Sequence, residues 1–221
     1  VSIDNIRETA AIRARYARIA PLYDLMEILP EWRFRSWRRR FWRQMEERVP
    51  HGGRALEVGV GTGKNIPYWP QGRMMSAVDL VPGMVVRARR RAGKLGWDAS
   101  IEEGDAQALP FPDNSFDAAA ATFVFCSVPD PVLGLRELAR VVKAGGTVLL
   151  MEHVRSTDPL VGKLMDFFNP LVVRLMGPNI NRDTVANVQA AGLEILKVED
   201  LGLSGIFKFI EARVPGDDDA N

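Results

Sequence analysis

The chain has 221 residues, 47% hydrophobic and 26% charged, an ordinary globular composition that suits one domain with a full core. Its one cysteine, Cys126, excludes an internal disulfide framework, and two histidines, His51 and His153, supply no zinc ligand set. The net charge of +1 hides an asymmetry: residues 1–94 carry +10, from 17 Arg and 2 Lys against 9 acids, and residues 95–221 carry −9. Such a chain can turn a basic face to an anionic membrane surface, whereas the balanced total and the lack of a nucleic-acid motif point away from nucleic acid as a partner. No uncharged apolar run approaches the roughly 20 residues that span a bilayer. Val1 to Arg18 has no apolar signal-peptide core, so the expected compartment is the cytoplasm.

Ile3 to about Ala20 reads as a helix, with Ile6, Ile12, Tyr16 and Ile19 near helical spacing and Pro21 and Pro30 as punctuation. A second helix is expected over Trp32 to Arg48. It carries seven arginines, with Phe34, Trp37, Phe41 and Met45 at helical spacing and Trp42 alongside. A basic amphipathic helix with tryptophans can lie in a membrane interface. Alternatively, its aromatic face covers the core while the arginines face water; both readings hold if the helix is a lid.

From Arg54 strands alternate with helices. Strands are expected at Ala55–Val60, Met74–Leu80, Ala99–Gly104, Phe116–Phe125 and Thr147–Val154, with helices at about 82–95 and 131–143. Asp130 reads as an N-cap, Pro131 as the first helical residue and Gly145-Gly146 as the stop. This rhythm predicts an α/β fold with a mainly parallel sheet and helices on both faces. A helix at about 182–191 then leads into strands at Leu193–Val198 and Ile206–Val214. Only about seven residues join these two, too few for a helical crossover, so they should pair antiparallel.

The sharpest signal is Leu56-Glu57-Val58-Gly59-Val60-Gly61-Thr62-Gly63: a buried strand runs into a glycine turn, with a helix expected next. The spacing departs from the dinucleotide fingerprint, since Lys64 stands where its last glycine belongs, and the phosphate-loop pattern is absent. Asp79 ends the second strand, placed for ribose hydroxyls. Gly104-Asp105-Ala106 ends the third, where Asp105 could meet an adenine amino group. With Glu57 these make three acids and no basic clamp, which suits a cationic ligand with a ribose, an adenine and an ammonium group. S-adenosylmethionine fits that description.

Residues 54–154 resemble a class I S-adenosylmethionine-dependent methyltransferase, on 56–63, Ala77-Val78-Asp79, Gly104 to Phe111, Ser115-Phe116-Asp117 and Leu135 to Gly146. Within that family the segment Tyr16 to Leu25 is similar to ubiquinone/menaquinone-biosynthesis enzymes and to bacterial phospholipid N-methyltransferases. Thr122 to Val128, with Met151 to Val154, is similar to animal membrane-associated thiol methyltransferases. The chain departs from the quinone enzymes before the last helix, where it reads Met176-Gly177-Pro178-Asn179-Ile180-Asn181-Arg182-Asp183.

The resemblance implies a Rossmann-like, seven-stranded, mostly parallel sheet with an antiparallel C-terminal strand. It divides the chain into an N-terminal helical lid (1–50), the methyltransferase domain (51–214) and a disordered acidic tail (215–221). Gly59, Gly61, Thr62, Gly63 and Asn65 would then receive the methionine part of the cofactor, and Glu57 would anchor that region. Asp79 would hold the ribose, Leu80 would pack on adenine, Asp105 and Ala106 would fix its amino edge, and Thr122 would lie near the sulfonium. Tyr16 and Tyr23 would close the pocket, Tyr16 with a catalytic part, and His153 would be the general base if one is needed. S-adenosylhomocysteine would be the product. Trp37, Cys126 and Phe168 are expected at the acceptor pocket. The apolar run from Leu164 to Met176 would either wall that pocket or pack on the sheet. Together these features suggest a lipophilic acceptor, a quinone precursor or a phospholipid amine, drawn from a membrane surface. A thiol acceptor, a non-catalytic cofactor-binding protein and a nicotinamide-dependent reductase are the alternatives.

Overall fold

The structure, a computed structural model, describes residues 3–26, 28–175, 177–202 and 205–216, and the side chains of residues 3, 4, 19–33 and 175 lie outside the description. The acidic tail expected at the end falls outside it from residue 217 onward. Among the described residues seven strands form one sheet: β1 (Arg54–Val58), β2 (Met74–Asp79), β3 (Ser100–Glu103), β4 (Phe116–Thr122), β5 (Val142–His153), β6 (Glu194–Asp200) and β7 (Phe207–Arg213). Their order is β3-β2-β1-β4-β5-β7-β6. The first five run parallel, and β7 lies antiparallel to both of its neighbours. The helices are α1 (Ile3–Met26), α2 (Ile28–Arg48), α3 (Pro82–Lys94), α4 (Pro131–Val141), α5 (Pro159–Leu175) and α6 (Thr184–Ala190).

The central strands are buried on both faces, as parallel strands under helices must be. Ala118 to Ala121 of β4 are fully buried, and their small side chains let the helix layers approach closely. Alternation sends Ala118 and Ala120 to one core, with Leu149, Met151 and Phe209, and Ala119 and Ala121 to the other, with Leu135, Leu138 and Val141 of α4. The first core is completed by α2: Phe41, Trp42 and Met45 are at most 1% exposed. Burying side chains of this size contributes about 1.5–3 kcal/mol each. The aromatic face of α2 therefore covers the sheet, as the second of its two readings expects.

Three local expectations are also corrected. The glycine turn leads into turns and a short 3₁₀ helix at Ile66–Tyr68, where an α-helix was expected. Gly145-Gly146 lies within β5 and does not cap α4: Val142 pairs with Phe116 and Thr147 with Ala118, so residues 143–146 bulge, and Gly145 takes the positive φ of 74° this requires. Pro21 does not end α1, which runs on to Met26. Pro30 sits in the first turn of α2, where its missing N–H has no helical partner to lose.

Candidate functional site

At the C-terminal tip of β1 the backbone turns under Gly59, Gly61 and Gly63, at φ of 71°, 55° and 82°. Glycine adopts these values at little cost, whereas other residues resist them. A Cβ on Gly59 would lie 2.3 Å from Cγ2 of Val124, while one on Gly61 would meet nothing within 4 Å. The turn is thus closed behind Gly59 and open in front of Gly61. The Gly61 N–H donates to Asp79 Oδ2 at 2.8 Å, and the Val81 N–H donates to Oδ1 at 2.9 Å. Burial raises the Asp79 pKa against the lowering effect of these two bonds.

The cavity over this turn brings together Gly59, Gly61, Asp79, Leu80, Asp105, Ala106 and Thr122, all anticipated in the sequence. Asp105 accepts the Gln107 backbone N–H at 2.9 Å, fixing its carboxylate at the rim. Ile12, Met84, Phe123, Val124 and Val128 add apolar lining. Helix α1 crosses the opening. Tyr16 lines the cavity and its hydroxyl bonds Ser127 Oγ at 2.8 Å, and Thr9 Oγ1 accepts from Gln107 Nε2 at 3.1 Å. Burial, with Cys126 adding to it, pushes the Tyr16 phenol up to about 12, so it stays protonated at neutral pH. The side chain of Tyr23 lies outside the described residues.

Glu57, Thr62, Gly63 and Asn65 are buried and outside the lining. Glu57 is fully buried, with Oε1 accepting from Asn65 Nδ2 at 2.5 Å and Oε2 from Trp69 Nε1 at 2.6 Å. Asn65 also donates to Thr122 Oγ1 at 2.9 Å and accepts from Arg38 Nη1 at 2.6 Å. Desolvation pushes Glu57 up to about 7, although Asn65, Trp69 and Arg38 each pull it down. This network holds the turn and the floor residue Thr122 to one another. Sequence reasoning does not single out Arg38 among the seven arginines of α2; its helical spacing from Phe34, Phe41 and Trp42 is the available signal that it faces inward.

A second buried acid supports the far wall. Glu152 Oε1 accepts the N–H groups of Val124 at 2.9 Å and Phe125 at 3.2 Å, and burial pushes this carboxyl up to about 7. The preceding Phe123 takes a φ of 59°, rare for an aromatic residue, and lines the cavity. No sequence pattern signals this outlier.

Four further expected residues also stand outside the cavity lining. His153 packs edge-on against Phe207, 5.2 Å between ring centroids, two ring contacts away through Phe207 and Phe123. Burial lowers its pKa, leaving a neutral imidazole whose Nδ1 has no hydrogen-bond partner. Trp37 belongs to the same aromatic cluster, packed on Phe34 and Phe207. Cys126 is buried behind the wall, and desolvation, aided by Glu152, pushes its thiol up to about 12, an inert state. Phe168 is on α5, 47% exposed and away from the cavity. On this side the lining comes from Phe123, Val124, Ser127, Val128 and Pro129.

The lining holds two carboxylates and no lysine or arginine among the described residues, with open room at Gly61. That donor set suits a cationic adenosyl ligand and opposes a polyphosphate.

The family comparisons agree with this chemistry. A methyltransferase-domain family model matches residues 56–150. A demethylmenaquinone methyltransferase of Deinococcus radiodurans is 35% identical over 173 residues, covering 76% of this chain and 70% of that protein. The ubiquinone/menaquinone biosynthesis C-methyltransferase UbiE of Hahella chejuensis is 32% identical, covering 75% and 69%. A phosphatidylethanolamine N-methyltransferase of Cereibacter sphaeroides is 38% identical over 112 residues; here the match covers 49% of this chain and only 55% of that protein. In fold, the chain is similar to a SAM-dependent methyltransferase from Thermotoga maritima, with a TM-score of 0.69 at 21% identity over 92% of this chain and 99% of that one. With the glycine turn, the acid-lined cavity and these likenesses in agreement, the chain belongs to the S-adenosylmethionine-dependent methyltransferases.

Proposed function

We propose that the chain methylates a lipophilic or amphiphilic small molecule, a quinone precursor or a phospholipid amine, with S-adenosylmethionine as methyl donor. The observation that carries this reading is a cavity whose lining combines the carboxylates Asp79 and Asp105 with the apolar side chains Ile12, Phe123, Val124 and Val128. The names of the relatives support both acceptor classes.

When bound, the cofactor supplies a methyl group already activated on a sulfonium, so the chain's contribution is positioning. Asp79 and Asp105 would accept hydrogen bonds from the ribose and the adenine amino edge: each Asp79 oxygen keeps a lone pair beyond its backbone donor, and Asp105 keeps one on Oδ2, whose donor is Gln107 Nε2 at 3.3 Å. The apolar wall and Tyr16 would exclude water from the reacting end. Neither of the two non-carboxylate candidates is suited to taking a proton, because the Tyr16 phenol is protonated at neutral pH and His153 is outside the lining. On this reading the acceptor reacts through its own lone pair or carbanion character. A thiol acceptor is the second reading, supported by the likeness of residues 122–128 to thiol methyltransferases. Mass spectrometry of products from a panel of demethylated quinols, phosphatidylethanolamine and alkyl thiols tests the proposal. A methylated quinol or amine is expected. Methyl transfer to thiols alone, or tight S-adenosylhomocysteine binding without turnover on any lipid of the panel, would overturn it.

A further inference from the structure

Helix α5 (Pro159–Leu175) was expected to wall the acceptor pocket or pack on the sheet, and one of its faces does neither. Met165 and Gly162 face the protein. On the opposite side Leu160, Leu164, Phe167 and Leu171 follow i, i+4, i+7, i+11 spacing and are 70%, 49%, 76% and 53% exposed, with Phe168 beside them and its ring 5.1 Å from that of Phe167. Residues at this spacing form one continuous stripe along a helix. Isolated exposed apolar residues need no explanation, but a contiguous row of five large ones marks an interaction surface.

The flank of the stripe identifies what covers it. At 100° per residue, Lys163 and Arg174 fall together along one edge, and no described acid pairs with either. The helix's acid, Asp166, lies further round and is held by Arg155 at 2.8 Å. An apolar stripe edged by cations complements a bilayer whose surface carries anionic headgroups. A second copy is a poorer match. A two-fold pairing of the stripe near Phe167, with the helices antiparallel, would bring Lys163 of one copy towards Arg174 of the other, and like charges would face each other.

The position of α5 relative to the cavity gives this surface a use. The segment after it hydrogen-bonds the loop that carries the cavity residues Val124, Ser127 and Val128: the Asn179 N–H donates to Cys126 O at 2.8 Å, and Arg182 Nη2 to Val128 O at 3.0 Å. A Cβ on Gly177 would lie 3.4 Å from the Tyr16 ring, so the end of α5 also borders the helix that crosses the opening.

We propose that the stripe Leu160, Leu164, Phe167, Phe168 and Leu171 docks the protein on an anionic phospholipid surface, with Lys163 and Arg174 at the headgroups, holding the cavity rim at the lipid. This goes beyond the functional reading and stands whichever acceptor is methylated. The test is co-sedimentation of the full chain with vesicles of phosphatidylcholine alone and of phosphatidylcholine with phosphatidylglycerol, alongside sedimentation velocity without lipid. The wild type should pellet with the anionic vesicles. Phe167→Ser with Leu171→Ser, both exposed, should melt as the wild type does and bind about tenfold or more weakly. Lys163→Glu with Arg174→Glu keeps the stripe intact and should lose binding to the anionic vesicles. Arg39→Gln, on the exposed side of α2, should bind as the wild type does. A wild type left in the supernatant, a stripe variant that binds normally, or a lipid-free dimer that the stripe variant dissociates would each overturn the proposal. The last outcome would assign the stripe to a second copy.

Discussion

Arg38 on α2 donates to Asn65 Oδ1 at 2.6 Å, and through that amide a helix outside the matched methyltransferase segment grips the base of the glycine turn. Arg38 is 5% exposed, so its charge is held by the polar network around Glu57 and not by water. Replacing it with methionine keeps the packing volume and leaves Asn65 Oδ1 without its donor, at a cost of about 1–3 kcal/mol. The Arg38→Met variant should melt lower by about 3–10 °C, judged from about 2–4 °C per kcal/mol for a chain of this size. It should also bind S-adenosylhomocysteine more weakly. Differential scanning calorimetry and titration calorimetry measure the two effects, and an unchanged melting temperature would remove Arg38 from the support of the turn.

Asp79 bridges the turn and the start of α3, and its carboxylate would also meet the ribose. Asp79→Ala should weaken S-adenosylhomocysteine binding about 10–100-fold, the equivalent of losing about 1.5–3 kcal/mol in a hydrogen bond to a charged group. Asp79→Asn keeps one acceptor oxygen and should fall between. Equal affinities in all three proteins would place the ribose elsewhere.

The glycines of the turn should separate folding from binding. Gly59→Ala drives a methyl group into Val124 and should lower stability with the cofactor absent. Gly61→Ala meets no protein atom, so its stability cost should be limited to the strain of a positive φ, about 1–2 kcal/mol. Its main effect should be lost cofactor affinity, because the methyl group enters the open space before the turn. Melting curves with and without S-adenosylhomocysteine distinguish the variants, and a Gly61→Ala protein that gains normal stability from the ligand would refute the assignment.

Glu152 gives a pH signature. Burial pushes its folded-state carboxyl up to about 7 from an ordinary 4.5. Between those values the folded chain keeps a proton that the unfolded chain has released, so stability from this group is full below about pH 4.5 and is lost as pH rises towards about 7. Glu57 acts in the same direction over the same range. Glu152→Gln cannot titrate. Urea unfolding from about pH 4.5 to about pH 8 should therefore show a shallower fall for the variant, and parallel curves would mean that Glu152 is charged in the folded protein throughout.

His153→Ala should leave S-adenosylhomocysteine affinity and the pH profile of turnover unchanged, since its ring is packed on Phe207 outside the cavity. A shifted pH profile would return it to the reaction.

What the sequence shows best is what is local in the chain. The turn at 59–63 follows directly on β1, Asp79 closes β2, and Asp105 comes two residues after β3, so strand tips and their residues can be read together. The antiparallel pairing of β6 and β7 follows from the short link between them. What stays hidden depends on contacts distant in sequence. Thr9 and Ile12 reach the cavity only because α1 crosses the sheet tips. Arg38 and Arg39 are neighbours of one chemical type, and only packing makes the first buried and the second exposed. On α5 apolar periodicity suggests a core-facing helix, but periodicity does not say what lies opposite.

The place of β7 carries a consequence for synthesis. Residues 207–213 fill the gap between β5 and β6, so the edge of β5 cannot be closed by chain that leaves the ribosome earlier. Until that stretch emerges, Leu149 and Met151 have neighbours on β4 alone, and the nascent polypeptide exposes an unpaired, adhesive border that chaperones would be expected to shield.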